Sequence, residues 1–294
     1  MRVLSIFLLS GCIFADPYFP DDNWETKNHD EVGLDESKID NLFELTFSDD
    51  ATMSAVLIKD GYIIREQYAE GFNKDSFGTS WSTAKSFYAA LVGISLDKGE
   101  IDSLDDPVAK YVPQYDEGKK KNITIRQILN MTSGLEFPSH EHEMMFFEAD
   151  HLAYAYKVDV ENKPGEVFQY NNVNSMLMGE ILKGATGKTA KQLIEERLFS
   201  KIGLKNYTAW EDEAGNTLTY CCLDMSARDY SRFGLLFSRD GNWNGDQVIS
   251  KNYVDESLKL YWGSTPSMGW THSDTRGYSL QWWISKYDDD AKIY

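Results

Sequence analysis

Between residues 82 and 240, five apolar-periodic segments, each stopped by a glycine, stand between two stretches of strand-like composition. They are "STAKSFYAALVGISLDKG", "TIRQILNMTSG", "NSMLMGEILKGATG", "TAKQLIEERLFSKIG" and "SARDYSRFGLLFSRDG". Glycine just past the last periodic residue ends a helix because it takes a left-handed conformation without steric cost. Upstream, "MSAVLIKDGYIIREQYAEGF" carries two β-rich runs joined at Asp60-Gly61, a strong hairpin signal. Ahead of that, "LDESKIDNLFELTF" has helical spacing, with Asp35 as its N-cap. Downstream, "GYSLQWWISKYDDDAKIY" returns to strand-like text around Trp282 and Trp283, and its acidic run reads as a turn between strands. This order predicts an α+β fold: an antiparallel sheet drawing strands from both ends of the chain, flanked by helices, with a helical subdomain at about 100–240.

A chain of 294 residues, 42% of them hydrophobic, can bury one large core. Its formal charge of −18 repels phosphate backbones, so nucleic acid is excluded as a partner. The N-terminal "MRVLSIFLLSGCIFADPYF" pairs Arg2 with a short apolar run and small residues, the layout of a secretory signal too short to span a bilayer. "LSGC" ending at Cys12 is similar to a bacterial lipobox, and cleavage after Ala15 is the rival reading. The expected organisation is a signal peptide at 1–15, a polar lead at 16–34 and a domain at 35–294. Export follows, to the periplasm or outside the cell, with membrane attachment if Cys12 is lipidated. The remaining cysteines, Cys221 and Cys222, are adjacent; neighbouring cysteines seldom bond to each other, so they read as small buried side chains.

Ser82-Thr-Ala-Lys85 opens the first helical segment, and the same spacing recurs at Ser95-Leu-Asp-Lys98. Position separates the two matches. Ser82 falls at a helix N-terminus, where free N–H groups favour developing negative charge, whereas Ser95 falls near the C-terminus. Residues three apart share a helical face, so Lys85 can reach the Ser82 hydroxyl, and burial would leave its amine neutral and able to take a proton. A capping serine beside a snorkelling lysine also explains these letters. Tyr170-Asn171-Asn172 lies between a Pro-Gly turn and a helix. A phenol beside a lysine can relay protons and an asparagine amide can hold a substrate carbonyl, while a buried tyrosine with an asparagine cap is the structural alternative.

Together with "LDKGEIDSLDDPVAKYVPQY", "NITIRQILNMTSGLEF", "PGEVFQYNNVNSMLMGEILKGATGKTAKQLIEERLFSKIGL" and "LDMSARDYSRFGLLF", these motifs resemble the serine hydrolases of the class C β-lactamase and penicillin-binding protein superfamily. The "LQWWI" and "MSARDYSRFG" runs look most like its 6-aminohexanoate-dimer hydrolase branch. The resemblance covers about residues 35–290 and implies a β-lactamase/transpeptidase-like fold. It further implies Ser82 as the acyl-forming nucleophile, Lys85 as its proton acceptor or orienter, Tyr170 as the general base and acid, and Asn172 as a substrate-binding group, with either Lys85 or Tyr170 taking the first proton. The Ser82 N–H would be one oxyanion donor. The partner implied is a small-molecule amide or ester, and no metal or organic cofactor is needed. A carboxylesterase or D-Ala-D-Ala carboxypeptidase on the same fold is the alternative, and an inert scaffold is a further one.

In this superfamily a K-T-G or H-x-G tripeptide follows the "QWW" strand. The chain ends at Tyr294 before it, and Lys201-Ile-Gly203 and Arg232-Phe-Gly234 lie upstream in helical text. The expectation is a C-terminally truncated hydrolase, lacking the last strands and C-terminal helix, with weak activity or none. "SHEHEMMFFEADH" brings His140, His142 and His151 near Glu141 and Glu143, but the spacing fits no metal motif. It reads instead as a loop over the substrate cleft, its Met-Phe run forming an apolar wall.

Overall fold

The computed structural model describes residues 17–137, 144–259, 262–263, 276–286 and 292–293. The Cys12 leader, the His140 to Glu143 run and the acidic stretch from 287 lie outside the described residues. Helix α1 (Glu36–Thr46) starts where the sequence predicts, with the Asp35 carboxylate accepting from the backbone N–H groups of Ser37 and Lys38. Strands β1 (Ser54–Lys59) and β2 (Tyr62–Tyr68) pair antiparallel across Asp60 and Gly61, at φ 56° and 91°. Two successive left-handed residues match the twist of a tight hairpin.

Strand β3 (Phe77–Thr79) runs through a 3-10 turn at Trp81–Thr83 into α2 (Ala84–Asp97). Every residue of α2 from Ala84 to Ser95 is buried, so this helix is the axis of the core. Gly93 permits that: a Cβ there would lie 2.4 Å from the Tyr253 ring, whose hydroxyl donates to the Ala89 carbonyl at 2.6 Å. Around it stand α3 (Ile125–Leu129), α4 (His151–Lys157), α5 (Asn172–Thr186) and α6 (Ala190–Ile194), which continues as a π-helical turn through Phe199. Thr124 with Gln127, and Thr189 with Gln192, form reciprocal capping boxes at α3 and α6.

Strands β4 (Thr208–Ala209) and β5 (Leu223–Ser226) join β3 in the order β3-β5-β4. Then come α7 (Ala227–Ser238), the hairpin of β6 (Asn242–Trp243) and β7 (Asp246–Gln247), and α8 (Lys251–Ser257). Strands β8 (Trp262–Gly263), β9 (Arg276–Ser279), β10 (Trp282–Lys286) and β11 (Lys292–Ile293) form an antiparallel sheet in the order β11-β10-β9-β8.

The antiparallel strands and flanking helices of the expected α+β fold are present. Among the described residues, β1–β2 and β8–β11 are separate sheets. Side chains of α7 contact both: Arg228 pairs with Glu66 of β2 at 2.5 and 2.7 Å, while Phe233 and Phe237 pack on Trp282 of β10, centroids 5.8 and 4.6 Å apart. The polar lead is also anchored, for Trp24 is in the core and the Arg232 guanidinium donates to the Pro20 carbonyl at 3.1 Å.

Candidate active site

Ser82 sits in the turn before α2, and the chain bends sharply to put it there. Trp81, just ahead, has φ 44°, a conformation disfavoured for a bulky residue and therefore held by its surroundings. Strand β5 does the holding: the Ser80 N–H donates to the Leu223 carbonyl at 2.8 Å, and the Ser80 hydroxyl accepts from the Leu223 N–H at 2.9 Å. Thr79 donates to the Asp224 carboxylate at 2.5 Å.

One helical turn on, Lys85 is only 1% exposed. Its Nζ lies 3.0 Å from the Ser82 hydroxyl oxygen and also donates to the Tyr220 carbonyl. Burial, with no neighbouring carboxylate to oppose it, pulls the amine down to about 7. The lysine is therefore poised to exchange a proton near neutrality, and the snorkelling alternative does not apply.

Tyr170 forms the adjoining wall. Its ring centroid is 5.2 Å from the Lys85 Nζ and stacks on Trp283 at 5.4 Å, and its hydroxyl interacts with the Ser82 side chain. Desolvation raises the Tyr170 pKa, and interactions with Ser82 and Trp283 partly offset this, so the phenol holds its proton at neutral pH. The two asparagines after it divide their duties. Asn171 is the helix cap, its side-chain oxygen accepting from the Val173 N–H at 2.9 Å and its amide donating to the Glu136 carbonyl at 3.1 Å. Asn172 lines the cleft, and its buried amide oxygen has no hydrogen-bond partner among the described residues. Such a group costs free energy unless a ligand satisfies it.

The cleft, about 260 Å³, is lined by Trp81, Ser82, Phe146, Phe147, Asn172, Tyr220 and Cys221. The Met-Phe run thus supplies the predicted apolar wall through its phenylalanines, while Met145 turns into the core. His151 pairs through Nδ1 with the Tyr220 hydroxyl at 3.1 Å. Ser95 is fully buried and its hydroxyl is 3.3 Å from the Arg197 guanidinium, so the second S-x-x-K lies outside the cleft. Cys221 and Cys222 are both buried, as predicted.

A beta-lactamase family model matches residues 48–294, most of the chain. The chain belongs to the beta-lactamase family. A 6-aminohexanoate-dimer hydrolase of Paenarthrobacter ureafaciens is 24% identical over 264 residues, covering 82% of this chain and 66% of its own length. A Bacillus anthracis structure, provisionally named a 6-aminohexanoate-dimer hydrolase, superposes with TM-score 0.77 at 22% identity, covering 92% of this chain and 75% of the other. A D-stereospecific amidohydrolase from Streptomyces superposes with TM-score 0.67 at 18% identity, covering 88% and 85%. These likenesses establish the β-lactamase/transpeptidase-like α+β fold.

Sequence reasoning missed Tyr220, Trp81 and Gln281. Gln281 sits in the β9–β10 turn at φ 68° and knots three helices to it. Its side chain accepts from Ser175 at 2.7 Å and donates to the Leu129 carbonyl at 2.8 Å, and its carbonyl accepts from Ser86 at 2.8 Å. That knot sets Trp283 against Tyr170. A polar residue within "LQWWI" was the available signal, since a glutamine among strand hydrophobics is buried only when its amide is satisfied.

Proposed function

We propose that the chain is a serine hydrolase that forms an acyl-enzyme on Ser82 and cleaves a small amide or ester. The observation that carries the reading is the desolvated Lys85 amine 3.0 Å from the Ser82 hydroxyl, at the floor of a cleft. The Ser82 proton passes to the neutral Lys85 amine as Oγ attacks the substrate carbonyl carbon. Tyr170, protonated at neutral pH, then gives its proton to the departing amine or alkoxide and is reprotonated through Lys85. Water attacks the acyl ester by the reverse relay and frees Ser82. Asn172 contributes its orphaned amide oxygen to a substrate N–H or hydroxyl, and the Ser82 N–H faces the developing oxyanion.

The described lining is aromatic or neutral, with the Lys85 amine buried behind Ser82, and Trp81 and Phe147 are exposed at its rim. This favours an uncharged, partly apolar substrate, in keeping with the linear amide dimer named for the Paenarthrobacter relative. The test is active-site labelling with a fluorophosphonate and a fluorescent penicillin, followed by a panel of short esters, a chromogenic cephalosporin and a linear amide dimer. Labelling that disappears in Ser82→Ala supports the reading; equal labelling of both proteins, or of neither, sinks it.

A further inference from the structure

His151, the first residue of α4, is buried behind the cleft wall. Its place is fixed by the backbone around it. The His151 N–H donates to the Asp212 carboxylate at 2.9 Å, and the Asp150 side chain accepts from the Ala153 N–H at 2.9 Å. The Asn216 amide ties the two carboxylates together, donating to Asp150 at 3.0 Å and to Asp212 at 2.9 Å. These bonds clamp the start of α4 to the 212–216 turn, so the imidazole is presented from a rigid base. Its Nδ1 then meets the Tyr220 hydroxyl at 3.1 Å, with the ring centroids 5.9 Å apart. Burial lowers the His151 pKa against the pull of Asp212 and the Glu148 carbonyl, so the ring is neutral at pH 7, and a phenol can bond either neutral tautomer.

Tyr220 is where this network reaches the reacting groups. Its carbonyl accepts from the Lys85 amine, its ring centroid is 5.8 Å from the same nitrogen, and it lines the cleft beside Ser82. The residue is therefore held at both ends, by Lys85 at its main chain and by His151 at its hydroxyl. We propose that His151 is a positioning residue for acylation: it holds the Tyr220 hydroxyl so that the Tyr220 carbonyl and ring stay on Lys85, and Lys85 stays on Ser82. Without that bond, the hydroxyl of a tyrosine only 3% exposed loses its partner, and an unpaired buried hydroxyl is costly enough to turn the side chain towards water. The carbonyl moves with it, and the Lys85 amine loses its second tether.

The consequence for rate rests on the hydrolase reading, so the experiment separates the two. The full chain is compared with His151→Phe, Tyr220→Phe, the double variant and His151→Asn for the rate of fluorophosphonate labelling per folded molecule. Phenylalanine keeps the ring volume at 151 without a polar atom, whereas asparagine puts a hydrogen-bonding atom where Nδ1 stood. Each phenylalanine variant should label about tenfold more slowly, as small misplacements at a reacting centre produce. The double variant should be no slower than the slower single, because both changes remove one bond, and His151→Asn should recover most of the rate. Multiplied losses in the double variant, which a separate packing role for His151 would give, overturn the proposal. So does a parental rate in either phenylalanine variant, or an asparagine variant as slow as His151→Phe. Should His151→Phe not fold, slow labelling by Tyr220→Phe with recovery in His151→Asn upholds the proposal, and any other pairing overturns it. If no form labels, the hydrolase reading fails, and nitrogen NMR of the His151 ring decides the coupling: an Nδ1 resonance displaced by Tyr220→Phe upholds it, and an unmoved one overturns it.

Discussion

Helix α2 carries the same four-residue spacing at both ends, and the two ends behave oppositely. At its N-terminus, Lys85 is buried while Ser82 opens on a cleft; at its C-terminus, Ser95 is buried while Lys98 is exposed. A lysine in water keeps its charge, and a serine in the core has no substrate to attack. The Ser95 hydroxyl instead approaches Arg197, whose guanidinium pairs in bidentate fashion with Glu100 at 2.6 and 2.8 Å. The chemistry thus depends on which member of the pair is desolvated, and the letters alone carry no such information.

The largest test of this contrast exchanges the serines. Ser82→Ala should lower fluorophosphonate labelling by about 10³-fold or more, whereas Ser95→Ala should leave the rate per folded molecule unchanged. Equal losses would erase the distinction between the ends. Next come the lysines: Lys85→Met should slow ester turnover by roughly 10²–10⁴-fold at neutral pH, the usual worth of a positioned proton acceptor, and Lys98→Met should do nothing. In the intact chain, acylation should climb as pH rises through about 7, because the acceptor is the neutral amine. A rate flat from pH 6 to 9 would remove Lys85 from that role.

The same burial makes a stability prediction. The folded pKa of Lys85 is depressed from 10.5 to about 7, so the unfolded chain binds the extra proton between those values and stability rises with pH across that window. Lys85→Met should therefore raise the thermal midpoint most at or below pH 7, with the gain fading towards 10.5. A gain independent of pH would show that packing, not desolvation, is responsible. Asn172→Ala should weaken substrate use by about tenfold, as loss of one polar contact does, while leaving the capping function with Asn171. At the far end of α2, Arg197→Met should cost roughly 1–3 kcal/mol in denaturant unfolding without altering the labelling rate per folded molecule.

Much of this was legible in local patterns. Asp35 as a cap, the Asp60-Gly61 turn and the glycine stops at Gly99 and Gly187 follow from backbone chemistry within a few residues, which no distant contact overrides. Ser82, Lys85 and Tyr170 were legible as candidates for the same reason: a helix start and spacing within one turn place them. The packing of the α7 aromatics on Trp282 was not legible, because it joins segments separate in the chain.

By itself, then, the sequence determined the order of helices and strands, the α+β class and the residue types able to form an acyl-enzyme, since propensity, capping and spacing act over short range. Only the tertiary structure decided which S-x-x-K serine opens on the cleft, which asparagine caps and which faces the cleft, and how far Lys85 departs from an ordinary lysine. Those outcomes rest on burial, and burial is set by segments far apart in the chain: Tyr220 and Trp283 close over Lys85 and Tyr170 from 135 and 113 residues away.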